Sequence, residues 1–381
     1  MIPWLLRRLV SAAVVVFCVF TASFAIMRWS PGSPFDLDKQ LAPAVVVNQA
    51  RVMGMAEPVP SPVAGTLVEV TRRNGEEVDA GQVYAVLSSE DSRVEVKADA
   101  AFTLFRCVRT AGEPVRVGDA IVYRKTSLGT QYVRTLWSYL HLDFGVTFDS
   151  RGERTVLENL RETLPVSMEL GLYALVIALC LGVGAGLLAG LRHNTWVDHS
   201  VMSAAMVGIS VPSLVLGPLL ILVFVMKLKW LPSFGGWEAG LFTGWGQKLL
   251  PALTLGLVYA AYFARLTRGG MLEVVRQDWI RTARAKGLSE WLVVRRHALR
   301  GAILPAVTFL GPAVASLLVG SVVVESVFNV PGVSKYFVSS AINRDYPMVM
   351  GVVVLYSMLL VVFNLLVDIA YAYLDPRVRH D

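Results

Sequence analysis

Residues 170–191 read LGLYALVIALCLGVGAGLLAGL, 22 consecutive positions without Asp, Glu, Lys or Arg. A helix needs ~20 such residues to cross the hydrocarbon core of a bilayer. In that solvent every backbone N–H and C=O must be satisfied within the segment, so the run reads as a membrane-spanning helix. Gly182, Gly184, Gly186 and Gly190 fall inside it. A phosphate-cradling loop would need a lysine after its last glycine, and none is present. The glycines therefore read as a stripe for close helix packing.

Five further stretches free of those four charged residues lie at 9–27, 201–226, 249–264, 301–324 and 348–367. The shortest, 249–264, reaches spanning length if it begins near Gly244 and takes in Lys248. Pro212, Pro218 and Pro312 read as kinks within the spans. The composition agrees. Of 381 residues 55% are hydrophobic and 17% charged, with a mean hydropathy of +0.56. Soluble domains carry ~25% charged residues, so a soluble enzyme of this size is excluded. Arg7 and Arg8 precede the first stretch, as in a signal peptide, but Arg28-Trp29 follows where small residues would mark cleavage. It reads as a retained first helix.

The net charge of +6 first admits a nucleic-acid partner, but its location argues otherwise. With the N-terminus inside, the pieces 1–8, 192–200, 265–300 and 368–381 hold 14 Lys/Arg, against 5 in 227–248 and 325–347. Such asymmetry marks cytoplasmic loops, so both termini are expected inside and no nucleic acid is expected. Cys18 and Cys180 lie in apolar runs and Cys107 in polar sequence, a pattern without an evident disulfide.

Between the first two spans lies a polar island. Asn74-Gly75-Glu76-Glu77-Val78-Asp79-Ala80-Gly81 returns 37 residues later as Ala111-Gly112-Glu113-Pro114-Val115-Arg116-Val117-Gly118. Strand-like runs at 66–71 and 83–87 surround the first copy, so the repeat predicts two copies of a strand-turn-strand unit related by a pseudo-twofold. With Ser61-Pro62-Val63-Ala64-Gly65 and Ala80-Gly81-Gln82, the island at 58–125 resembles the biotinyl/lipoyl-like hairpin domain. That family modifies a lysine at the hairpin tip. Asp91 stands there in this chain, so neither biotin nor lipoate is expected. Lys97, in the alternation Val94-Glu95-Val96-Lys97, reads as a residue on a solvated strand face.

The segment 265–300 holds nine Lys/Arg: Arg265, Arg268, Arg276, Arg281, Arg284, Lys286, Arg295, Arg296 and Arg300. Charge alone would make it a topology anchor. The order Asp278-Trp279-Ile280-Arg281-Thr282-Ala283-Arg284-Ala285-Lys286-Gly287-Leu288-Ser289-Glu290, with Arg300-Gly301-Ala302-Ile303-Leu304-Pro305, says more. It resembles the coupling motif of the integral membrane permeases of ATP-binding-cassette importers, in their oligopeptide/dipeptide/nickel group. Ser30-Pro31-Gly32, Leu164-Pro165-Val166-Ser167-Met168-Glu169-Leu170, Glu325-Ser326-Val327-Phe328 with Pro331-Gly332, Asn343-Arg344-Asp345-Tyr346-Pro347 and Tyr373-Leu374-Asp375-Pro376-Arg377 are similar to that group as well. Leu142-Asp143-Phe144-Gly145 and the closing helix resemble its microcin C-type oligopeptide branch.

The resemblance implies an all-α polytopic membrane protein of six transmembrane helices, the type I ABC importer fold, with a small β barrel-sandwich insert. The expected organisation is a first helix at 1–30, a periplasmic linker at 31–57, the periplasmic insert at 58–125, and a permease core at 126–381. It further implies that Arg281, Thr282, Ala283, Arg284, Ala285, Lys286, Gly287, Leu288 and Glu290 couple the chain to an ATPase. In this reading Leu288 and Trp291 offer apolar contact, while Arg281, Arg284 and Lys286 face the partner or lipid. The implied partners are a second permease subunit as a heterodimer, two ATP-binding-cassette ATPase subunits, a periplasmic solute-binding protein and the bilayer. The chain lacks a P-loop, a nucleophile elbow and a paired-His motif, so ATP is expected only in the partner subunits. His193, Asp198 and His199 read as loop residues rather than a metal site, and Glu169 and Glu325 as anchors at membrane boundaries.

The insert raises an alternative, a membrane-anchored lipoyl-domain adaptor of an efflux or secretion system. That reading leaves five spans unexplained. A self-sufficient secondary transporter would predict inverted repeats or charges in mid-membrane, and the spans carry no such charge.

Overall fold

The computed structural model describes residues 2–29, 46–47, 50–51, 54–89, 92–107, 109–147, 154–232, 237–238, 240 and 243–374. Asp91, Ser30-Pro31-Gly32, most of the 31–57 linker and Asp375-Pro376-Arg377 lie outside these residues. The chain divides into two compact units, one of Met1–Val19, Leu160–Ser339 and Val352–Asp381, the other of Phe20–Asn159 and Ser340–Gly351.

In the second unit, the described residues form the strands β1 (Ala56–Pro60), β2 (Gly65–Val70), β3 (Glu77–Val78), β4 (Val83–Ser89), β5 (Ser92–Lys97), β6 (Phe102–Cys107), β7 (Pro114–Val115) and β8 (Ala120–Lys125). They form two four-stranded sheets, ordered β1-β8-β6-β3 and β5-β4-β2-β7. Exchanging β1 with β5, β8 with β4, β6 with β2 and β3 with β7 turns one sheet into the other, so the sequence repeat is a structural pseudo-twofold. Gly75, Gly81, Gly112 and Gly118 all have positive φ, between 83° and 94°, which is why glycine recurs at these turns. Their hydrogen bonds repeat too: Gly75 N–H donates to Leu104 O at 2.8 Å, and Gly112 N–H to Leu67 O at 2.7 Å. Leu67, Leu104, Val78, Val115, Tyr84 and Ile121 fill the core between the sheets. The Lys97 side chain is exposed, as its alternation predicts.

Helix α1 (Ile2–Trp29) precedes the insert and α2 (Leu128–Leu140) follows it. Ser127 caps α2, its hydroxyl accepting from Thr130 N–H at 3.3 Å.

The remaining helices are α3 (Val156–Leu191), α4 (Trp196–Ser210), α5 (Ser213–Leu220), α6 (Trp245–Val275), α7 (Asp278–Ala285), α8 (Glu290–Leu292), α9 (Leu299–Ala302), α10 (Leu304–Val319), α11 (Val322–Val327), α12 (Val333–Ile342) and α13 (Tyr346–Leu374). Among the described residues, five segments are long and apolar enough to cross a membrane: Leu6–Trp29, Val156–Leu191, Trp245–Val275, Leu304–Val327 and Tyr346–Leu366. The 249–264 stretch does extend back, α6 starting at Trp245 and carrying a buried Lys248.

The 201–226 stretch differs from a straight span. Trp196–Ser210 and Ser213–Lys227 meet at a bend of 108°. Pro212 forces the break, because its ring disfavours a helical Val211, which is extended with ψ of 117°.

The glycine stripe of α3 packs against α6. A Cβ on Gly182 would stand 2.5 Å from the Ala260 carbonyl oxygen, and one on Gly186 2.5 Å from that of Ala264. Gly256 on α6 meets the Ala174 carbonyl in the same way, at 2.7 Å. Small residues let the two backbones touch, which side-chain packing alone cannot achieve in lipid.

Candidate coupling site

The proposed coupling residues form a helix-turn-helix that closes back onto the end of α6. Helix α7 buries Ile280 and Ala283 against Met271 and Val274 of α6 and against Val293, Ala298 and Ala302 beyond the turn. After Lys286, Gly287 adopts a φ of +75° and ends the helix. The chain then re-enters through α8 and a π-helical turn, Val293–Ala298. The wider π spacing carries Val293 and Ala298 inward and leaves Arg295, Arg296 and His297 exposed.

The expected residues divide into three groups. Arg281, Thr282, Ala285, Lys286 and Gly287 are exposed on the outer surface. Ala283 faces inward. Leu288 does too, and here the expectation of an apolar contact for a partner is corrected: it packs against the core beneath α7. Gly287 interrupts the helical period, so a position that looks outward by spacing is turned in. Arg284 is exposed, and its Nε donates to Glu290 Oε1 at 2.8 Å across the Gly287 turn. Thr282 hydroxyl donates to Asp278 O at 2.9 Å.

The exposed apolar anchors are Trp279 and Trp291, with 54% and 69% of their surface open. Trp279 was missed from the sequence, though an aromatic ring in the first turn of a cationic helix is the available signal. Two indoles among Arg281, Lys286 and Arg295 make a surface suited to a protein partner, because buried interface centres favour aromatic and arginine side chains.

The base of this site is pinned by a cluster whose parts are far apart in sequence. Asp198, in the first turn of α4, is buried rather than an ordinary loop residue. It accepts from Arg268 Nε and a second guanidinium nitrogen at 2.5 and 2.8 Å, and from Asn194 N–H at 3.0 Å. His193 Nδ1 stands 3.2 Å away. Arg268 is therefore withdrawn from the nine cations of the basic segment and ties the α3–α4 turn to α6, three residues before Met271.

Two further nodes gather motif residues at other places in the same unit. Glu325 is fully buried and accepts from Ser167 hydroxyl at 2.9 Å and from Ser334 N–H at 3.0 Å. The same Ser167 hydroxyl accepts from Val333 N–H at 3.0 Å. A Cβ on Gly332 or Gly320 would collide with the Glu325 carboxylate. Glu169 accepts from Lys248 Nζ at 2.7 Å, Tyr173 hydroxyl at 2.8 Å and Trp237 Nε1 at 2.9 Å. Both acids hold segments together.

A family profile described as "Binding-protein-dependent transport system inner membrane component" matches residues 182–380. A second, described as "Biotin-requiring enzyme", matches residues 52–123. The oligopeptide transport system permease protein OppB of Salmonella typhimurium (strain LT2) is 34% identical over 380 residues, covering 100% of both chains. The dipeptide transport system permease protein DppB of Bacillus subtilis (strain 168) is 44% identical over 249 residues, 65% of this chain and 79% of that one. The glutathione transport system permease protein GsiC of Escherichia coli O1:K1 / APEC is 38% identical over 282 residues, 71% of this chain and 90% of that one. With six apolar stretches, a cationic helix-turn-helix and full-length identity of this order, the chain belongs to the family of inner membrane components of binding-protein-dependent transport systems, a transport subunit and not an enzyme.

Proposed function

We propose that this chain is the permease subunit of an ATP-binding-cassette importer for peptides or peptide-like solutes, working by alternating access driven by a separate ATPase. The observation that carries the reading is the end-to-end identity to an oligopeptide permease. The surface around Trp279, Arg281, Lys286, Gly287 and Trp291 is the docking element for the ATPase. Its inward side is one packed cluster with the end of α6, so a push on α7 moves that helix as a body.

The assembly is a heterodimer with a second permease, two ATPase subunits and a periplasmic solute-binding protein. Both termini lie in the cytoplasm and residues 58–125 lie outside, where the insert serves as a docking surface for the binding protein. The insert carries no biotin or lipoate, with Asp91 at the tip position; intact-protein mass spectrometry showing the unmodified mass is the expected result.

Proteoliposomes holding this chain with its second permease, ATPase and binding protein test the function. ATP-dependent uptake of a labelled tripeptide is expected, and Trp279→Ala with Trp291→Ala is expected to lower it together with ATPase binding. Uptake that proceeds without ATP, or without the ATPase subunits, overturns the reading.

A further inference from the structure

Where α1 ends, the second unit holds a small cleft of about 40 Å³ that opens to the surface. Its lining is mostly apolar, with Phe24 and Met27 from α1, Phe144 from the segment after α2, and Pro347 and Met350 from α13. Its polar lining includes Arg28, Asp143 and Tyr346 besides the hydroxyls of Thr135, Ser138 and Tyr139. Arg28, in the last turn of α1, makes no ion pair among the described residues; its guanidinium carbon lies 5.1 Å from the centroid of the Phe24 ring. Tyr346 brings a buried hydroxyl with no hydrogen-bond partner. Asp143, exposed at the rim, accepts from Gly145 N–H at 3.1 Å and, at 3.3 Å, from Ser138 hydroxyl, and makes no ion pair among the described residues.

The cleft lies at the C-terminal end of α1, a helix long and apolar enough to cross a membrane. Ile26 and Trp29, on the final turns of the spanning helix α1, are 68% and 82% exposed, as residues facing lipid and its headgroup region are. Helix α2 lies against the same stretch of α1. Tyr132 hydroxyl is 2.8 Å from Thr21 Oγ1, and the Tyr132 ring meets those of Phe20 and Phe24 at 5.6 and 5.3 Å. Its other face shows Val133, Trp137 and Leu140 at helical spacing, all more than 60% exposed. An apolar stripe held beside a span is the pattern of a helix lying in the membrane interface.

A cation and an unpaired hydroxyl donor call for an anion. An exposed carboxylate at the rim, with no ion pair among the described residues, leaves a place for a cation. Apolar walls call for hydrocarbon. We propose that this cleft binds an amine-bearing zwitterionic phospholipid, its phosphate on Arg28 and the Tyr346 hydroxyl, its ammonium on Asp143, and its acyl chains along Phe24 and Met27. A phospholipid without the amine leaves Asp143 unpaired beside its phosphate, and a trimethylated headgroup cannot donate a hydrogen bond to that carboxylate.

Native mass spectrometry of the full chain released from nanodiscs of mixed phosphatidylethanolamine, phosphatidylglycerol and phosphatidylcholine tests this. The expected result is preferential retention of phosphatidylethanolamine, about tenfold over phosphatidylcholine for one charge-assisted hydrogen bond. Asp143→Asn is expected to remove the preference among headgroups, and Arg28→Ala to lower retention of all three. Tyr346→Phe deletes only the hydroxyl and keeps the packing, so its expected loss of retention is readable even if Arg28→Ala folds poorly. Equal retention of the three lipids by the wild-type chain, or retention unchanged by Tyr346→Phe and Asp143→Asn, overturns the proposal. Displacement of the lipid by soluble glycerophosphoethanolamine at millimolar level would assign the site to a free headgroup instead and overturn the lipid assignment.

Discussion

Gly287 has open space where a Cβ would stand, so nothing in this chain excludes a side chain there; its φ of +75° does. A left-handed conformation costs ordinary L-residues about 1–2 kcal/mol, and asparagine tolerates it better. Gly287→Asn is therefore expected to keep transport-coupled ATP hydrolysis, and Gly287→Val to lose most of it, in the reconstituted importer. If both fail alike, the constraint belongs to a partner surface instead of the backbone. Glu325 makes the opposite case, a residue whose surroundings are crowded. Glu325→Ala strands the Ser334 N–H and the Ser167 hydroxyl in an apolar setting, at about 1–3 kcal/mol for each unpaired group. Gly332→Ala forces a methyl group onto the same carboxylate. Thermal melts in detergent are expected to show both single variants destabilised and the double variant less so than their sum, because the second change relieves the first. Strict additivity would mean that the two residues do not meet.

At the scale of elements, the β insert carries a pH-dependent clasp. Glu57 on β1 is bonded by Arg124 of β8, at 2.9 and 3.2 Å, and by Arg134 of α2. The Arg124 hydrogen bonds hold its carboxyl below the usual glutamate range, and Arg134 adds to this against the opposing effect of burial. A depressed folded-state pKa stabilises above the unfolded pKa of ~4.3 and is lost as pH falls through the folded value. Both arginines are about half exposed, so the effect stays below ~1 kcal/mol. Hydrogen exchange in β1 and β8 is expected to quicken as the pH drops below ~5, and Glu57→Gln to show the faster exchange already at neutral pH. The insert was also the most legible element of the sequence. Its glycine turns are local, and a 37-residue repeat of local signals needs no long-range knowledge. In the segment 281–291 the inward packing of Leu288 and the Arg284–Glu290 pair were not legible. Helical spacing carries no information across a left-handed glycine followed by a π turn.

For the whole molecule, the bent pair Trp196–Ser210 and Ser213–Lys227 decides topology. Counted as one crossing it makes six spans and puts both termini on one side. Counted as a re-entrant pair it leaves five and puts them on opposite sides. The 14 to 5 distribution of Lys/Arg in the short pieces favours six. Alkaline phosphatase fusions are expected to be active within 58–125 and inactive after residue 374. Activity at both places would make the pair re-entrant and reverse the placement of the C-terminus.

The sequence by itself determined that the chain is a membrane protein, where its polar island begins and repeats, and which loop is basic. These follow from composition and short periods, which act through neighbours along the chain. Only the tertiary structure decided that Asp198 and Arg268, 70 residues apart, tie the α3–α4 turn to α6. It also decided that Ser167, Glu325 and Gly332 meet, and that Arg28, Asp143 and Tyr346 face one cleft. Such groups come together through the packing of helices against one another, and the glycine contacts between α3 and α6 show how close that packing is. No pattern along the chain records which faces are pressed together, because in lipid hydropathy is spent on entering the membrane and distinguishes little between one apolar face and another.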